Sequence, residues 1–242
     1  IFFYKSIKKM PIIINKPIGI TPLELIQQYK AENSINEKMS FAGRLDPMAR
    51  GVMVLLKGQE CKLQESLCGR DKIYEFELLQ GFETDTLDVL GIVENYNGIF
   101  SSININDFIG SFSQKYPNYS SIVVNKKPLW WWSKNNRLNE IDIPKKEIEI
   151  YSLEEDVNIK IIGKTRLLEM VLEKIESLSN TNKDKFRFYD IKEKWIDIFE
   201  NIDRDLFVIK RFRAKVSSGT YIRSLCQRMG GIAFDINRIE IL

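Results

Sequence analysis

A single aspartate lies in a loop whose neighbouring residues restrain its backbone. The segment 41–52 reads FAGRLDPMARGV, so Asp46 directly precedes Pro47 and lies between Gly43 and Gly51. Proline disfavours helical geometry in the residue before it, and glycine allows a tight turn or the close approach of a ligand. The apolar run that follows is typical of a buried strand. The pattern presents one carboxylate at a strand end, where it could act as a nucleophile, although an aspartate before proline also commonly caps a turn.

Histidine is absent from the chain, which restricts the catalytic chemistry. The 242 residues contain no His and three Cys. Catalysis by Ser-His-Asp or Cys-His arrangements is excluded, as are the commonest zinc sites, so we expect no metal. Three cysteines cannot form a complete disulfide framework, which favours a reduced, cytoplasmic protein. We expect no membrane span, because no run of about 18 apolar residues occurs.

Positive charge is concentrated near the end of the sequence. Residues 206–242 contain seven basic and two acidic side chains, whereas the whole chain has a net charge of only +3. In the predicted strand 207–216, Arg211, Arg213 and Lys215 alternate with apolar residues, so one face is basic. This pattern predicts a local contact with a polyanion through phosphate groups.

The hydropathy pattern predicts strands and helices that do not alternate regularly. Predicted strands cover residues 12–14, 52–56, 74–79, 148–153 and 207–216. Thr21 and Glu24 form a capping box that predicts a helix starting at Pro22. Further helices are predicted at residues 107–112, 160–179 and 221–229. The irregular order favours an α+β fold with a mixed sheet over a regular βαβ array.

Four segments, in chain order, resemble the signature motifs of the TruB family, the tRNA pseudouridine(55) synthases. The Asp46 loop resembles G-x-LDP-x-A-x-GV. The others are residues 15–21, which resemble K-P-x-G-x-T/S, residues 72–88, which resemble a K-x-Y strand and a TDT-x-D loop, and residues 218–225, which resemble GTYIR-[ST]-L. Residues 119–130 resemble the family's YSA…K-x-LYE region more weakly. The resemblance covers roughly residues 11–153 and 207–242, and it implies an α+β domain with a largely antiparallel sheet and flanking helices.

The resemblance also implies a reaction, the isomerisation of uridine to pseudouridine in RNA, with the T-loop of tRNA as the expected target. Asp46 would be the nucleophile at the ribose C1′, so that uracil detaches, rotates and rejoins through carbon. Tyr74 would stack on the extruded base, and Arg223 would pair with Asp46 through a guanidinium–carboxylate contact. An isomerisation needs no redox cofactor, so none is expected.

The resemblance and the basic strand together give a set of expected substrate-binding residues. The set combines a pocket lysine and a pocket carboxylate with the residues before Asp46, the basic strand and the tyrosine of GTYIR. Its members are Lys16, Phe41, Gly43, Arg44, Asp88, Arg211, Arg213, Lys215 and Tyr221. The run Trp130–Trp132, flanked by lysines, could stack on RNA bases or simply pack a hairpin.

The sequence departs from the family pattern in ways that concern the RNA rather than the chemistry. Phe41 replaces a histidine of the family, and Ser218 replaces a frequent lysine. Residues 154–206 are longer and more acidic than expected and are interpreted as an insertion. We expect one catalytic domain over residues 11–242, with residues 1–9 outside the fold and without the family's small C-terminal RNA-binding domain.

Two other functions are compatible with the same residues. A catalytically silent RNA-binding or RNA-folding protein on this scaffold would use the RNA contacts without needing Asp46. A glycoside or nucleoside hydrolase would need a second carboxylate about 5–10 Å from the first, and Asp88 is the candidate. The expected partner in the favoured hypothesis is RNA, bound by a monomer.

Overall fold

The fold is given by a computed structural model that describes residues 11–100, 102–157 and 159–242. Residues 1–9, which the domain prediction leaves out, lie outside the described residues. In chain order, the strands are β1 (Ile12–Lys16), β2 (Met39–Ala42), β3 (Ala49–Lys57), β4 (Lys72–Gln80), β5 (Phe82–Thr84), β6 (Val93–Tyr96), β7 (Gly110–Lys115), β8 (Val123–Val124), β9 (Lys127–Pro128), β10 (Lys145–Glu155), β11 (Lys160–Gly163), β12 (Leu206–Val216) and β13 (Gly231–Ile241). The α-helices are α1 (Pro22–Glu32), α2 (Gln64–Cys68), α3 (Leu129–Lys134), α4 (Lys164–Glu176), α5 (Asn180–Lys183), α6 (Phe188–Asn201) and α7 (Ile222–Arg228).

One nine-stranded sheet organises the molecule. Its strand order is β1-β3-β13-β4-β12-β10-β7, with β2 beside β3 and β11 beside β12. Within the described part of this sheet, β3 and β13 form the parallel pair and the other neighbours are antiparallel. The predicted mixed, largely antiparallel sheet with flanking helices is therefore confirmed. Strands β5–β6 and β8–β9 form two separate hairpins.

The central strands have one apolar face because their side chains alternate between the core and the surface. In β12, Phe212 and Ala214 are buried, whereas Arg211 and Arg213 point to the other face. The Phe212 ring stacks on Phe76 of β4, with ring centroids 5.4 Å apart. The period-two pattern predicted for residues 207–216 is thus confirmed, and it places the core on one side of these strands.

Helix α1 begins with the predicted capping box, and the same residues join it to the segment interpreted as an insertion. The Thr21 amide donates to Glu24 Oε2 at 2.8 Å, and the Glu24 amide donates to Thr21 Oγ1 at 3.2 Å. Glu24 also accepts from Ser179 Oγ at 2.8 Å and from Asn182 Nδ2 at 2.6 Å. Although burial opposes ionisation, hydrogen bonds from Thr181, Thr21 and Ser179 lower the pKa of Glu24 to about 2.

The segment 154–206 shares the hydrophobic core with the rest of the chain. Trp195 of α6 is buried against Phe82, with ring centroids 5.3 Å apart, and Phe199 lies 5.7 Å from Phe207. The Trp195 indole donates to the Val89 carbonyl at 3.2 Å, which satisfies its one polar atom. Helices α4 and α6 therefore belong to the same folded body as the sheet.

One predicted helix is wrong, and another begins later in the structure than predicted. Residues 107–112, predicted as a short helix, form the end of a 3-10 turn (Ile105–Phe108) followed by strand β7. The predicted helix 160–179 begins at Lys164, because residues 160–163 pair with β12 as strand β11. Pairing with a neighbouring strand outweighs local helical periodicity in both places. No helix in the described residues is long and apolar enough to cross a membrane.

Candidate active site

The loop that carries Asp46 connects β2 to β3 and is tied down on both sides. The Ala49 amide donates to the Asp46 carbonyl at 3.0 Å, which forms a turn around Pro47. From the other side, the Gly19 amide donates to the Pro47 carbonyl at 2.8 Å. Gly43 opens the loop with φ +75°, a conformation that glycine adopts without strain. The backbone therefore presents the carboxylate from a fixed position.

A buried arginine that sequence reasoning missed holds the start of this loop. Arg238 of β13 is 1% exposed, and its guanidinium donates to the carbonyls of Val52 at 2.7 Å, Gly43 at 2.9 Å and Arg44 at 3.4 Å. A side-chain carbon on Gly43 would lie 3.2 Å from the Arg238 Nη1 atom. In the sequence, the signal is that a charged residue stands two positions after the apolar Ile236. Alternate residues of a strand share one face, so Arg238 falls on the same buried face as Ile236.

Arg223 contacts Asp46, the partner that the resemblance implied, and it also contacts Asp88. Its Nη2 atom lies 2.8 Å from Asp46 Oδ2, and its Nε atom lies 3.6 Å from Asp88 Oδ2. The guanidinium also donates to the backbone carbonyls of Thr86 and Tyr119. Burial alone would lower the pKa of Arg223, but the two carboxylates outweigh it and raise the pKa. The side chain is thus a fixed cation with only 3% exposure, and the Asp46 side chain beside it is 29% exposed.

Asp88 lies deeper than Asp46. Burial raises the pKa of its carboxyl to about 6, and the charge of Arg223 opposes this shift. Asp88 Oδ1 accepts from Thr86 Oγ1 and from the Leu90 amide, both at 2.9 Å. Its position behind the guanidinium suits a residue that orients Arg223.

The Asp46 carboxylate opens into a cavity of about 390 Å³. This volume is within the range of about 300–1,000 Å³ that is usual for small-molecule and cofactor pockets. The wall comes from the Asp46 loop, the start of α1, the 86–90 loop, helix α3 and the turn before α6. Residues that line it include Pro22, Arg44, Leu45, Asp46, Asp88, Tyr119, Trp130, Lys134, Lys185, Phe186, Arg187 and Arg223. Among the described residues, no three carboxylate or cysteine side chains are placed to share a metal ion.

Lys16 and Tyr221 lie within electrostatic range of Asp46. Lys16 is buried, and its ammonium donates to the carbonyls of Pro17 at 2.7 Å and Ile20 at 2.8 Å. Burial lowers the pKa of Lys16 to about 8, although the charge of Asp46 opposes this shift. Burial, together with the Asp46 charge, raises the pKa of Tyr221 to about 12. Neither side chain is among the residues that line the cavity.

Tyr74 is buried in the core and is not among the residues that line the cavity. On β4 it lies opposite Arg238 of β13, the residue that holds the Asp46 loop. Directly opposite residues of an antiparallel pair share one face of the sheet, so Tyr74 faces the side on which this loop is held. Its role in stacking stays a prediction.

The basic strand lies away from the cavity, and part of its charge is paired. Arg211 contacts Glu77 at 3.1 Å, and the Arg213 guanidinium lies 4.0 Å from Glu75. The Lys215 ammonium lies 5.5 Å from the Tyr151 ring centroid. Their proposed phosphate contacts stay predictions.

Two aromatic features near the cavity have different roles. The Arg44 guanidinium lies 5.5 Å from the centroid of the Phe41 ring at the start of the Asp46 loop. Of the tryptophan run, Trp132 is buried and donates to the Val124 carbonyl at 3.1 Å, whereas Trp130 lines the cavity. The run therefore combines packing of the β8–β9 hairpin with an aromatic cavity wall.

The Arg238 contacts predict that Arg238→Lys destabilises the protein and slows any reaction at Asp46. Lysine keeps the charge but cannot donate to the Gly43, Arg44 and Val52 carbonyls in a fixed fork. Losing two of these charge-assisted hydrogen bonds should cost about 3–6 kcal/mol of unfolding free energy. Urea unfolding measures this loss. The exposed variant Arg70→Lys is the control, and an equal stability in both variants would contradict the proposed role.

The fold has a counterpart among solved structures. A chain of the structure described as "Crystal Structure of a Cbf5-Nop10-Gar1 Complex" superposes with a TM-score of 0.52 and 16% sequence identity, over 95% of this chain and 48% of that chain. At this identity the similarity establishes the fold. The site therefore lies in a sheet architecture that the matching chain of that complex shares.

Sequence comparisons define the family. The model of the TruB family pseudouridylate synthase (N terminal domain) matches residues 30–176, more than half of the chain, and the chain belongs to this family. The tRNA pseudouridine synthase B of Clostridium acetobutylicum is 30% identical over 90% of this chain and 60% of that protein. The protein of the same name from Fusobacterium nucleatum is 33% identical over 63% of this chain and 50% of its own length. The chain spans about half the length of the curated relatives it matches first.

Proposed function

We propose that the protein isomerises uridine to pseudouridine in RNA, with Asp46 as the attacking carboxylate. The observation that carries the proposal is the 2.8 Å contact between Arg223 and Asp46 at the wall of the 390 Å³ cavity. A fixed guanidinium holds the attacking carboxylate in one orientation through a charge-assisted hydrogen bond. Membership of the TruB family supports the reaction type.

In the proposed reaction, the Asp46 carboxylate attacks C1′ of an extruded uridine, and the C1′–N1 bond breaks with its electron pair on uracil. The uracil rotates within the cavity, and a bond from C5 to C1′ displaces the carboxylate. C5 loses a proton and N1 gains one, so substrate and product have the same composition. A route through a glycal intermediate needs the same ionised carboxylate beside the ribose.

Extrusion of the nucleotide is required because C1′ is inaccessible in folded RNA. Unstacking a base costs a few kcal/mol, and an aromatic contact can return about 1–3 kcal/mol. Three aromatic residues line the described cavity wall and could make this contact: Tyr119, Trp130 and Phe186. The proposal includes the T-loop of tRNA as the target, a monomeric enzyme, and a cytoplasmic location.

The test is incubation of the purified protein with a T-loop stem transcript, followed by carbodiimide mapping of pseudouridine. A transcript with cytidine at the target position is the matched control. We expect pseudouridine at one position and no release of free uracil. Free uracil would instead indicate the hydrolase, with Asp88 as its second carboxylate, and RNA binding without any product would indicate a silent RNA-binding protein.

A further inference from the structure

The turn between α5 and α6 forms part of the wall of the Asp46 cavity, although it belongs to the segment interpreted as an insertion. Lys185, Phe186 and Arg187, here called the rim turn, line the cavity. Lys134 of α3 lines it from an adjacent position, and its ammonium donates to the Lys185 carbonyl at 3.3 Å. Two elements that are far apart in the sequence therefore meet at the rim.

Arg187 anchors the rim turn to Asp85 and Tyr119 on the other side of the cavity. Its backbone has φ +56°, a left-handed conformation that is unfavourable for a residue with a side chain. Its guanidinium contacts Asp85 at 2.5 Å and lies 4.6 Å from the centroid of the Tyr119 ring. Both side chains of the ion pair are mostly buried, at 19% and 16% exposure. These contacts hold the turn in a conformation that a free loop would seldom adopt.

The charges at the rim are available to a ligand. Within the described residues, neither Lys185 nor Lys134 has a carboxylate within ion-pair distance, and both are exposed. The segment that carries the rim turn is acidic overall, but several of its acidic side chains form ion pairs away from the cavity. Glu176, for example, binds Lys183 and Lys192. Lys185 of this acidic segment and Lys134 of α3 therefore present two ammonium groups without an ion-pair partner, among the described residues, at the cavity.

We propose that the rim turn is a phosphate clamp, in which Lys185 and Lys134 bind the RNA backbone next to the nucleotide in the cavity. The inference rests on the proposed function, because that function places RNA there. A nucleotide entering beside the carboxylates of Asp46 and Asp88 brings negative phosphates, and Arg223 is already paired with both carboxylates. Cations at the rim offset that repulsion.

The experiment measures the affinity of a T-loop stem transcript for Lys185→Gln and Lys194→Gln at several salt concentrations. Both variants remove one positive charge from the same segment. Lys194 is exposed on α6, lies outside the cavity wall, and has only a 4.0 Å contact with Asp197. One lost phosphate contact lowers the slope of log K against log salt by about 0.9 in duplex and about 0.7 in single-stranded regions. Between 1 M and 0.15 M salt, a slope change of this size corresponds to an affinity loss of about fivefold.

We expect Lys185→Gln to show this loss and the smaller slope, Lys194→Gln to match the wild type, and Lys185→Arg to retain binding. In the double variant Lys134→Gln, Lys185→Gln, the slope of log K against log salt should fall by about the amount expected for two phosphate contacts. Equal affinities for Lys185→Gln and Lys194→Gln would overturn the clamp even if the wild type makes pseudouridine. If Lys185→Gln binds RNA more weakly but the wild type makes no pseudouridine, the proposed function is wrong and the clamp is supported.

Discussion

Asp46→Asn is expected to abolish pseudouridine formation while the protein remains folded. The amide keeps the shape of the side chain, and its oxygen can still accept from Arg223, now 2.8 Å from the carboxylate. An amide cannot attack C1′, and removal of a nucleophile typically lowers the rate by about 10⁴-fold to 10⁶-fold. The unfolding free energy should fall by about 1 kcal/mol, because one charge-assisted bond becomes neutral. Single-turnover formation of pseudouridine in a T-loop transcript measures the effect.

The matched control is Asp142→Asn, which removes the same charge from an exposed aspartate. This variant should keep the wild-type rate. RNA affinity of Asp46→Asn, measured in parallel, should stay within about threefold of the wild type, since the phosphate contacts are unchanged. A wild-type rate in Asp46→Asn would place the reacting group on another residue and rule out Asp46 as the nucleophile.

Local signals predicted the parts of the fold that depend on neighbouring residues. The capping box of Thr21 and Glu24 and the alternation in β12 both involve contacts or faces set within a few positions. The position of Asp46 in a restrained loop also follows from its immediate neighbours, Gly43 and Pro47. The pairing of Asp46 with Arg223 joins distant positions, and only the resemblance to the family indicated it.

Long-range contacts explain what the sequence could not predict. Arg238 and Gly43 are separated by 195 positions, so nothing near either residue indicates that one holds the other. The same is true of Arg187 and Asp85, which are 102 positions apart. Helix α6 was not predicted, although its buried Trp195 lies in the main core. Such contacts depend on tertiary packing rather than on local propensity.

The basic strand illustrates how pairing changes the meaning of a charge pattern. In sequence, Arg211 and Arg213 form an unpaired basic face. In the sheet, the register places them directly opposite Glu77 and Glu75 of β4. Cross-strand pairs of opposite charge stabilise a sheet by roughly 0.2–1 kcal/mol each. This partial neutralisation weakens the argument for phosphate contacts there and favours the rim turn, where Lys185 is unpaired among the described residues.

Arg223→Met is expected to remove both activity and much of the stability. Arg223 is the cation shared by Asp46 and Asp88, and it is almost completely buried. Removing one partner of a buried ionic network typically costs about 3–5 kcal/mol, because the remaining charges lose their compensation. Urea unfolding at pH 8 measures this loss. The control Arg213→Met removes an exposed arginine of β12 and should change stability by no more than about 1 kcal/mol.

The pH dependence separates a lost ionic interaction from a simple packing defect. In the wild type, burial raises the pKa of Asp88 to about 6, above its ordinary value of 3.8, while Arg223 opposes the shift. Without Arg223 the pKa must rise further, so the folded variant retains the Asp88 proton at higher pH. The part of the stability loss of Arg223→Met, relative to the wild type, that comes from Asp88 should be complete above the pKa of Asp88 in the variant. It should shrink as the pH falls below that pKa and vanish below about 6, where Asp88 becomes protonated in both proteins. Adding Asp88→Asn to Arg223→Met should recover part of the stability at pH 8, since it removes the uncompensated carboxylate. A deficit that is the same at pH 8 and pH 5.5, and unchanged by Asp88→Asn, would mean that Arg223 acts only by filling space.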